Sequence, residues 1–263
     1  MKKLLVTYAW LILLFLYLPL LVLAVYSFND SRINAEWNGF TLHWYADLLQ
    51  DPAVLEAFLN SLSIAAVTTL AATAIGTACA LGLHRYKQKW RSAFGSLLYL
   101  PVLVPDILMG LSLLVLFSQA GMELGKLTII IAHITFSISF VVIIVSARLA
   151  GMGRELEEAA GDLGAAPWQT FRYVTLPVLL PGVLSAALLT FTLSIDDFVI
   201  TFFVAGPGST TLPIYIYGMV KRGITPEINA LSTLLIVLIA LLMLGSEWLR
   251  RRGENGEKGG LPL

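Results

Sequence analysis

Residues Glu157–Pro177 read EEAAGDLGAAPWQTFRYVTLP, the longest polar interruption in the second half of a chain that is otherwise mostly membrane. Within it stand Glu158-Ala159-Ala160, three residues, Gly164, nine residues, Val174, one residue, and Leu176-Pro177. Gly164 suits the left-handed position just past a helix end, and Pro167 suits the first position of the next helix. Residues 154–163 and 167–174 are therefore expected as two helices joined by a turn. Leu156, Ala159, Ala160 and Leu163 give the first helix an apolar stripe, with small residues where a partner must come close. Docking such a stripe into a groove is an established way to join two proteins.

On both sides of this loop the chain is built for lipid. Its 263 residues are 57% hydrophobic and 13% charged, with a mean hydropathy of +0.81, whereas soluble domains carry about 25% charged residues. The expected class is an all-α membrane protein. A span needs about 20 mainly apolar residues, and six stretches meet that length, at about 4–26, 59–83, 93–117, 127–147, 178–205 and 228–249. The whole chain, 1–263, then forms one transmembrane domain, with the loop at 148–177 and a disordered tail at 250–263. Lys2 and Lys3 precede a run, Leu4–Val25, too long for a signal core of about 7–15 residues, and no clear A-x-A site follows, so it reads as an uncleaved first span. Cys79 stands alone, which excludes an internal disulfide and a cysteine-based metal cluster. His43, His84 and His133 are too scattered to form a metal site.

Basic residues set the orientation. Lys2, Lys3, Arg85, Lys87, Lys89, Arg91, Arg148, Arg154, Arg172, Arg250, Arg251, Arg252 and Lys258 fall on one side of the spans. Arg32, Lys126, Lys221 and Arg222 fall on the other. The excess places both termini and the loop in the cytoplasm. The external segment 29–58 carries Asp30, Glu36, Asp47, Asp51 and Glu56 against Arg32, an acidic outer face. Leu42, Trp44, Tyr45, Leu48 and Leu49 recur there at helical spacing, which predicts a short helix along the outer surface. Its aromatics suit either an anchor at headgroup depth or a substrate entrance.

Polar residues inside the spans are costly, so each asks for a reason. Pro101 and Pro105 must kink or open the third span, and Asp106 beside them is expected to point inward, toward water, a ligand or a neighbouring helix. His133 reads best as an interhelical hydrogen-bonder. In the fifth span, SAALLTFTLSIDDFVITFFVAG, Asp196 and Asp197 stand together without another charge, at a cost of about 7 kcal/mol for the pair on insertion scales. Counting from Pro181, Asp196 lies about 23 Å along the helix, toward the outer half of the membrane. Ser194 and Asp197 share a face. Two close acids repel each other and a multiply charged cation would relieve them; basic residues of a partner subunit are the other answer. Ala72, Gly76 and Ala80 form a small-residue face in the second span, where another helix can approach closely.

The spacing in the loop resembles the EAA loop of ABC importer permeases, with Val174 where that pattern has isoleucine. Other segments are similar to a membrane subunit of bacterial spermidine/putrescine ABC importers: Tyr26-Ser27-Phe28-Asn29, Trp37-Asn38-Gly39-Phe40-Thr41 with Trp44-Tyr45, Pro105-Asp106, Thr192–Asp197 and the run from Met219 to Leu231. The resemblance implies a six-helix type I permease in the bacterial inner membrane. Its partners would be a homologous membrane subunit, two ATPase subunits and a periplasmic polyamine-binding protein. It also implies that Glu158, Ala159, Ala160, Gly164, Leu176 and Pro177 couple the chain to the ATPase, and that Trp44, Asp106, Ser194, Asp196 and Asp197 line the polyamine route. Acids for a polyammonium chain and an aromatic ring for cation–π contact are the chemistry such a substrate needs.

The chain contains no G-x-x-x-x-G-K-[ST] phosphate loop, so ATP and Mg belong to another subunit, and no cofactor or catalytic constellation is expected here. Two alternatives stay open: an ABC permease for another small cationic or phosphonate-type solute, and an ion-coupled carrier using Asp106, Asp196 and Asp197 as a relay.

Overall fold

The computed structural model describes residues 2–31, 36–85, 91–153, 155–223 and 225–258. Arg32, Lys87, Lys89 and Arg154, used in the orientation count, lie outside them. The helices in chain order are α1 Lys2–Tyr26, α2 His43–Gln50, α3 Pro52–Arg85, α4 Arg91–Leu103, α5 Asp106–Gln119, α6 Lys126–Gly151, α7 Glu155–Asp162 and α8 Pro167–Thr170. A π-helical turn, Phe171–Thr175, leads into α9 Leu176–Asp196, followed by α10 Val199–Val204, α11 Leu212–Arg222 and α12 Pro226–Lys258. Among the described residues there is no strand, and one isolated antiparallel bridge joins Asn29 and Phe40. The chain divides into two compact units, Met1–Ala57 with Leu212–Leu242, and Phe58–Thr211 with Met243–Leu263.

In the first unit, α1 exposes apolar side chains along its whole length, as a helix bathed in lipid does. Beyond it the chain knots around Asn29, which is fully buried. An amide carries both donors and an acceptor: Nδ2 donates to the Glu36 carbonyl at 2.8 Å, and Oδ1 accepts the Asn38 N–H at 2.9 Å. Phe28 stacks between Phe40 and Tyr45, at 5.4 and 5.3 Å between ring centres. Gly39 closes the turn at φ +129°, where a side chain would be strained. The helix expected over 42–49 is α2, with Trp44 and Leu48 buried. Asp51 then caps α3 by accepting the Ala53 N–H at 2.8 Å, and accepts the Tyr215 hydroxyl of α11 at 3.1 Å.

In the second unit, α6 is the central post. Ala132, Val141, Val145 and Leu149 are fully or nearly fully buried along it. The small face of α3 meets it as expected: Ala72 and Ala80 are fully buried, and a Cβ at Gly76 would fall 2.6 Å from the Cβ of Val141. One apolar cluster joins Ile64, Leu113, Phe117, Ile129, Ala132, Phe136, Ile200 and Val204. A second joins Ala80, Val141, Val145, Leu149, Met152, Leu179 and Ala186.

Lys3–Tyr26, Pro52–Arg85, Lys126–Gly151 and Pro167–Asp196 are long and apolar enough to cross a membrane, the bent pair α4–α5 makes a fifth, and Pro226–Leu241 is a shorter apolar stretch. Two expected spans are broken helices. Pro105 has no N–H to continue α4, and α5 leaves it at 107°. The stretch at 178–205 divides into α9 and α10, with Asp197 extended between them at φ −63° and ψ 122°. At the other end, α12 continues to Lys258, so the tail expected to be disordered is helical as far as that residue. Extending an existing helix costs far less than nucleating one.

Candidate functional site

The break between α9 and α10 is built from one carboxylate. A helix start leaves backbone donors unmet, and Asp197 meets those of α10: Oδ2 accepts the Thr201 N–H at 2.8 Å and the Thr201 hydroxyl at 2.7 Å, and Oδ1 accepts the Ile200 N–H at 3.4 Å. Its charge also suits the positive end of a helix. His133 of α6, fully buried, completes the arrangement. Its Nε2 lies 3.2 Å from Asp197 Oδ2 and 2.9 Å from Thr201 Oγ1, and its Nδ1 lies 2.7 Å from Ser194 Oγ. Since the Thr201 hydroxyl donates to Asp197, its oxygen must accept from His133, which assigns the proton to Nε2. Nδ1 shares the remaining hydrogen bond with the Ser194 hydroxyl.

The neighbouring acids are free. Asp196 closes α9 and Asp106 opens α5, both exposed, and among the described residues neither forms a hydrogen bond or ion pair. α5 packs closely on α10, beyond the break: a Cβ at Gly110 would fall 2.8 Å from Phe203 Cδ2 and 3.3 Å from Ile200 Cα. Thus Asp196 and Asp197, alike in sequence, differ in kind. Trp44, in the other unit, is 5% exposed and donates its indole N–H to the Asn29 carbonyl at 2.9 Å. Thr201 escaped the sequence reading; the local signal was Asp197 itself, an acid of the type that meets the backbone donors of a helix start.

The polar loop forms a second candidate site. α7 ends as the spacing predicts: Gly164 has φ +84°, and the Ala165 N–H returns to the Ala160 carbonyl at 3.0 Å. Pro167 opens α8, where Gln169 Oε1 accepts the Ala166 N–H at 2.8 Å. The expected second helix, 167–174, then widens into the π turn. The Leu176 N–H reaches back to Phe171, and Pro177 offers no N–H to re-form the α pattern. Pro177 is exposed and Leu176 half-buried. Leu156, Leu163, Trp168 and Tyr173 are 50–90% exposed, an apolar surface of the kind that marks a protein contact. Glu158 and Ala159 are exposed beside them, and Ala160 is half-buried. Glu157 turns the other way. Its Oε1 accepts the Thr175 hydroxyl at 2.5 Å and lies 3.2 Å from Arg85 Nη2. The Thr175 hydrogen bond holds the carboxyl below its ordinary value, against partial burial and with help from Arg85.

Residues 72–255 match the family model for the binding-protein-dependent transport system inner membrane component. The chain is 41% identical over 245 residues to the spermidine/putrescine transport system permease protein PotC of Escherichia coli K12, covering 93% of each. It is 42% identical over 248 residues to the putrescine transport system permease protein PotI of the same organism, covering 92% of this chain and 88% of that one. A solved bacterial ABC transporter that imports the acidic polysaccharide alginate has a chain of the same fold, with a TM-score of 0.76 over 95% of this chain and 94% of that one, at 19% identity. The chain therefore belongs to the inner membrane components of binding-protein-dependent transport systems, as a transport subunit with the helical fold of ABC importer permeases.

Proposed function

We propose that this chain is one membrane half of an ATP-driven importer for polyamines such as spermidine and putrescine. The observation that carries the reading is the free carboxylate of Asp196 at the end of a membrane helix, next to an Asp197 already committed to His133 and Thr201. A lone acid in an apolar span is costly unless a ligand or water meets it, and a polyammonium chain is a ligand that does. Asp106, equally free at the head of α5, is the second acid of the route. Ser194 and Asp197 hold the break that presents Asp196, and Trp44 secures the outer segment through Asn29. The relatives named for spermidine and putrescine support this choice of cargo.

The loop couples the chain to the ATPase. Leu156, Leu163, Trp168 and Tyr173 form the docking surface, Glu158, Ala159 and Ala160 lie within it, and Gly164, Leu176 and Pro177 shape its turns. The chain sits in the bacterial inner membrane with both termini and this loop in the cytoplasm. It works with a homologous second permease, two ATPase subunits that bind ATP and Mg, and a periplasmic polyamine-binding protein. The test is uptake of labelled spermidine and putrescine by proteoliposomes holding the assembled importer. Asp196→Asn is expected to lower uptake at least about tenfold, the effect of losing one charge-assisted contact, with the complex intact. Full uptake by that variant would overturn the assignment of Asp196 to the route.

A further inference from the structure

No residue of α7 is buried, so apolar packing does little to hold this two-turn helix to the membrane helices. A helix so short is unstable alone. Its polar attachment is Glu157, which reaches two elements at once: the Thr175 hydroxyl at the last position of the π turn, 2.5 Å away, and Arg85 at the end of α3, 3.2 Å away. Thr175 is fully buried, so the first bond joins the loop to the packed base of α9. The π turn beneath it is a type of helix defect that recurs at functional sites. The pair lies in an open surface cleft of about 340 Å³ lined by His84, Arg85, Glu157 and Glu158.

We infer that Glu157 is a positioning residue for transport: it carries movement of the docking helix α7 into α9 through Thr175 and into α3 through Arg85. Leu156 and Leu163 present α7 to the ATPase, while Glu157 holds α7 to the translocating helices. Without it, α7 stays docked but moves without drawing α9 along. The inference rests on the loop being the ATPase dock.

The test uses the assembled importer in proteoliposomes, measuring ATP hydrolysed per spermidine imported and the amount of ATPase that co-purifies. Glu157→Ala is expected to raise the ratio about tenfold with ATPase retention unchanged, while Glu157→Gln, whose Oε1 still accepts from Thr175, stays within about threefold of the parent. Should Glu157→Ala fail to fold into the membrane, Thr175→Val, which keeps the side-chain shape and removes the hydroxyl, decides by the same ratio. An unchanged ratio in Glu157→Ala and Thr175→Val overturns the inference. So does loss of the ATPase from Glu157→Ala, since Glu157 would then belong to the dock. A Leu163→Glu control that retains the ATPase overturns the docking reading itself.

Discussion

His133 Nε2 lies 3.2 Å from Asp197 Oδ2, and that contact links the central helix α6 to the break between α9 and α10. The two side chains are 1% and 10% exposed, so the pair is closed to water. Removing one partner leaves a buried charged group short of a bond, which costs more than the bond itself contributes. His133→Leu is therefore expected to destabilise the purified complex by about 2–3 kcal/mol. A double-mutant cycle with Asp197→Asn should show coupling of about 1–3 kcal/mol, measured by thermal unfolding in detergent. Additive effects would mean that the contact holds nothing.

The two aspartates should separate experimentally. Asp197→Ala removes a cap and a charged partner, so it is expected to lower stability by about 1–2 kcal/mol along with uptake. Asp196→Asn should lower uptake with stability within about 0.5 kcal/mol of the parent, as for an unengaged side chain. Equal stability losses would contradict the division of labour described above.

Two glycines of one helix give a contrast in packing. A Cβ at Gly76 would press into Val141, while one at Gly82 meets nothing within 4 Å. Gly76→Ala should cost about 1–3 kcal/mol by overpacking, and Gly82→Ala should gain up to about 1 kcal/mol through helix propensity. Thermal unfolding of the two variants checks both signs.

Glu157 makes the loop sensitive to acid. Its carboxyl is held below the ordinary value of 4.5, so the folded state favours the charged form. The stabilisation is fully present above that value and is lost as pH falls through the lowered one. Hydrogen exchange of residues 155–175 should stay slow near neutrality and quicken in acid below the ordinary glutamate range. In Glu157→Gln, which cannot titrate, that acid step should vanish. Its persistence would assign the step to another group.

The docking surface gives the simplest prediction. Leu163 is 90% exposed, so Leu163→Glu should leave the chain's own stability within about 0.5 kcal/mol. It should weaken ATPase retention about tenfold or more, as loss of an interface anchor does, read by co-purification.

Much of this molecule is legible in its one-dimensional pattern because the controlling forces are local. Six apolar stretches follow from the cost of unmet backbone groups in lipid, and Gly164 and Pro167 mark the turn of the loop through their own backbone preferences. Family membership is legible too, from the spacing of Glu158, Gly164, Val174 and Pro177. The breaks are harder. The 107° bend at Pro105 exceeds what a missing N–H alone predicts, and beyond it Gly110 packs against Phe203 and Ile200, residues far apart from it in the chain. The same holds for the acids. Sequence alone determined that Asp106, Asp196 and Asp197 require a reason to be in a membrane, and that Glu157–Pro177 folds as two short helices joined by a turn at Gly164. Only the tertiary structure decided which carboxylates are already engaged. His133 and Thr201 capture Asp197, Thr175 and Arg85 capture Glu157, and among the described residues Asp106, Glu158 and Asp196 are left free. A hydrogen bond depends on a few tenths of an ångström between side chains, and that distance is set by how the helices pack.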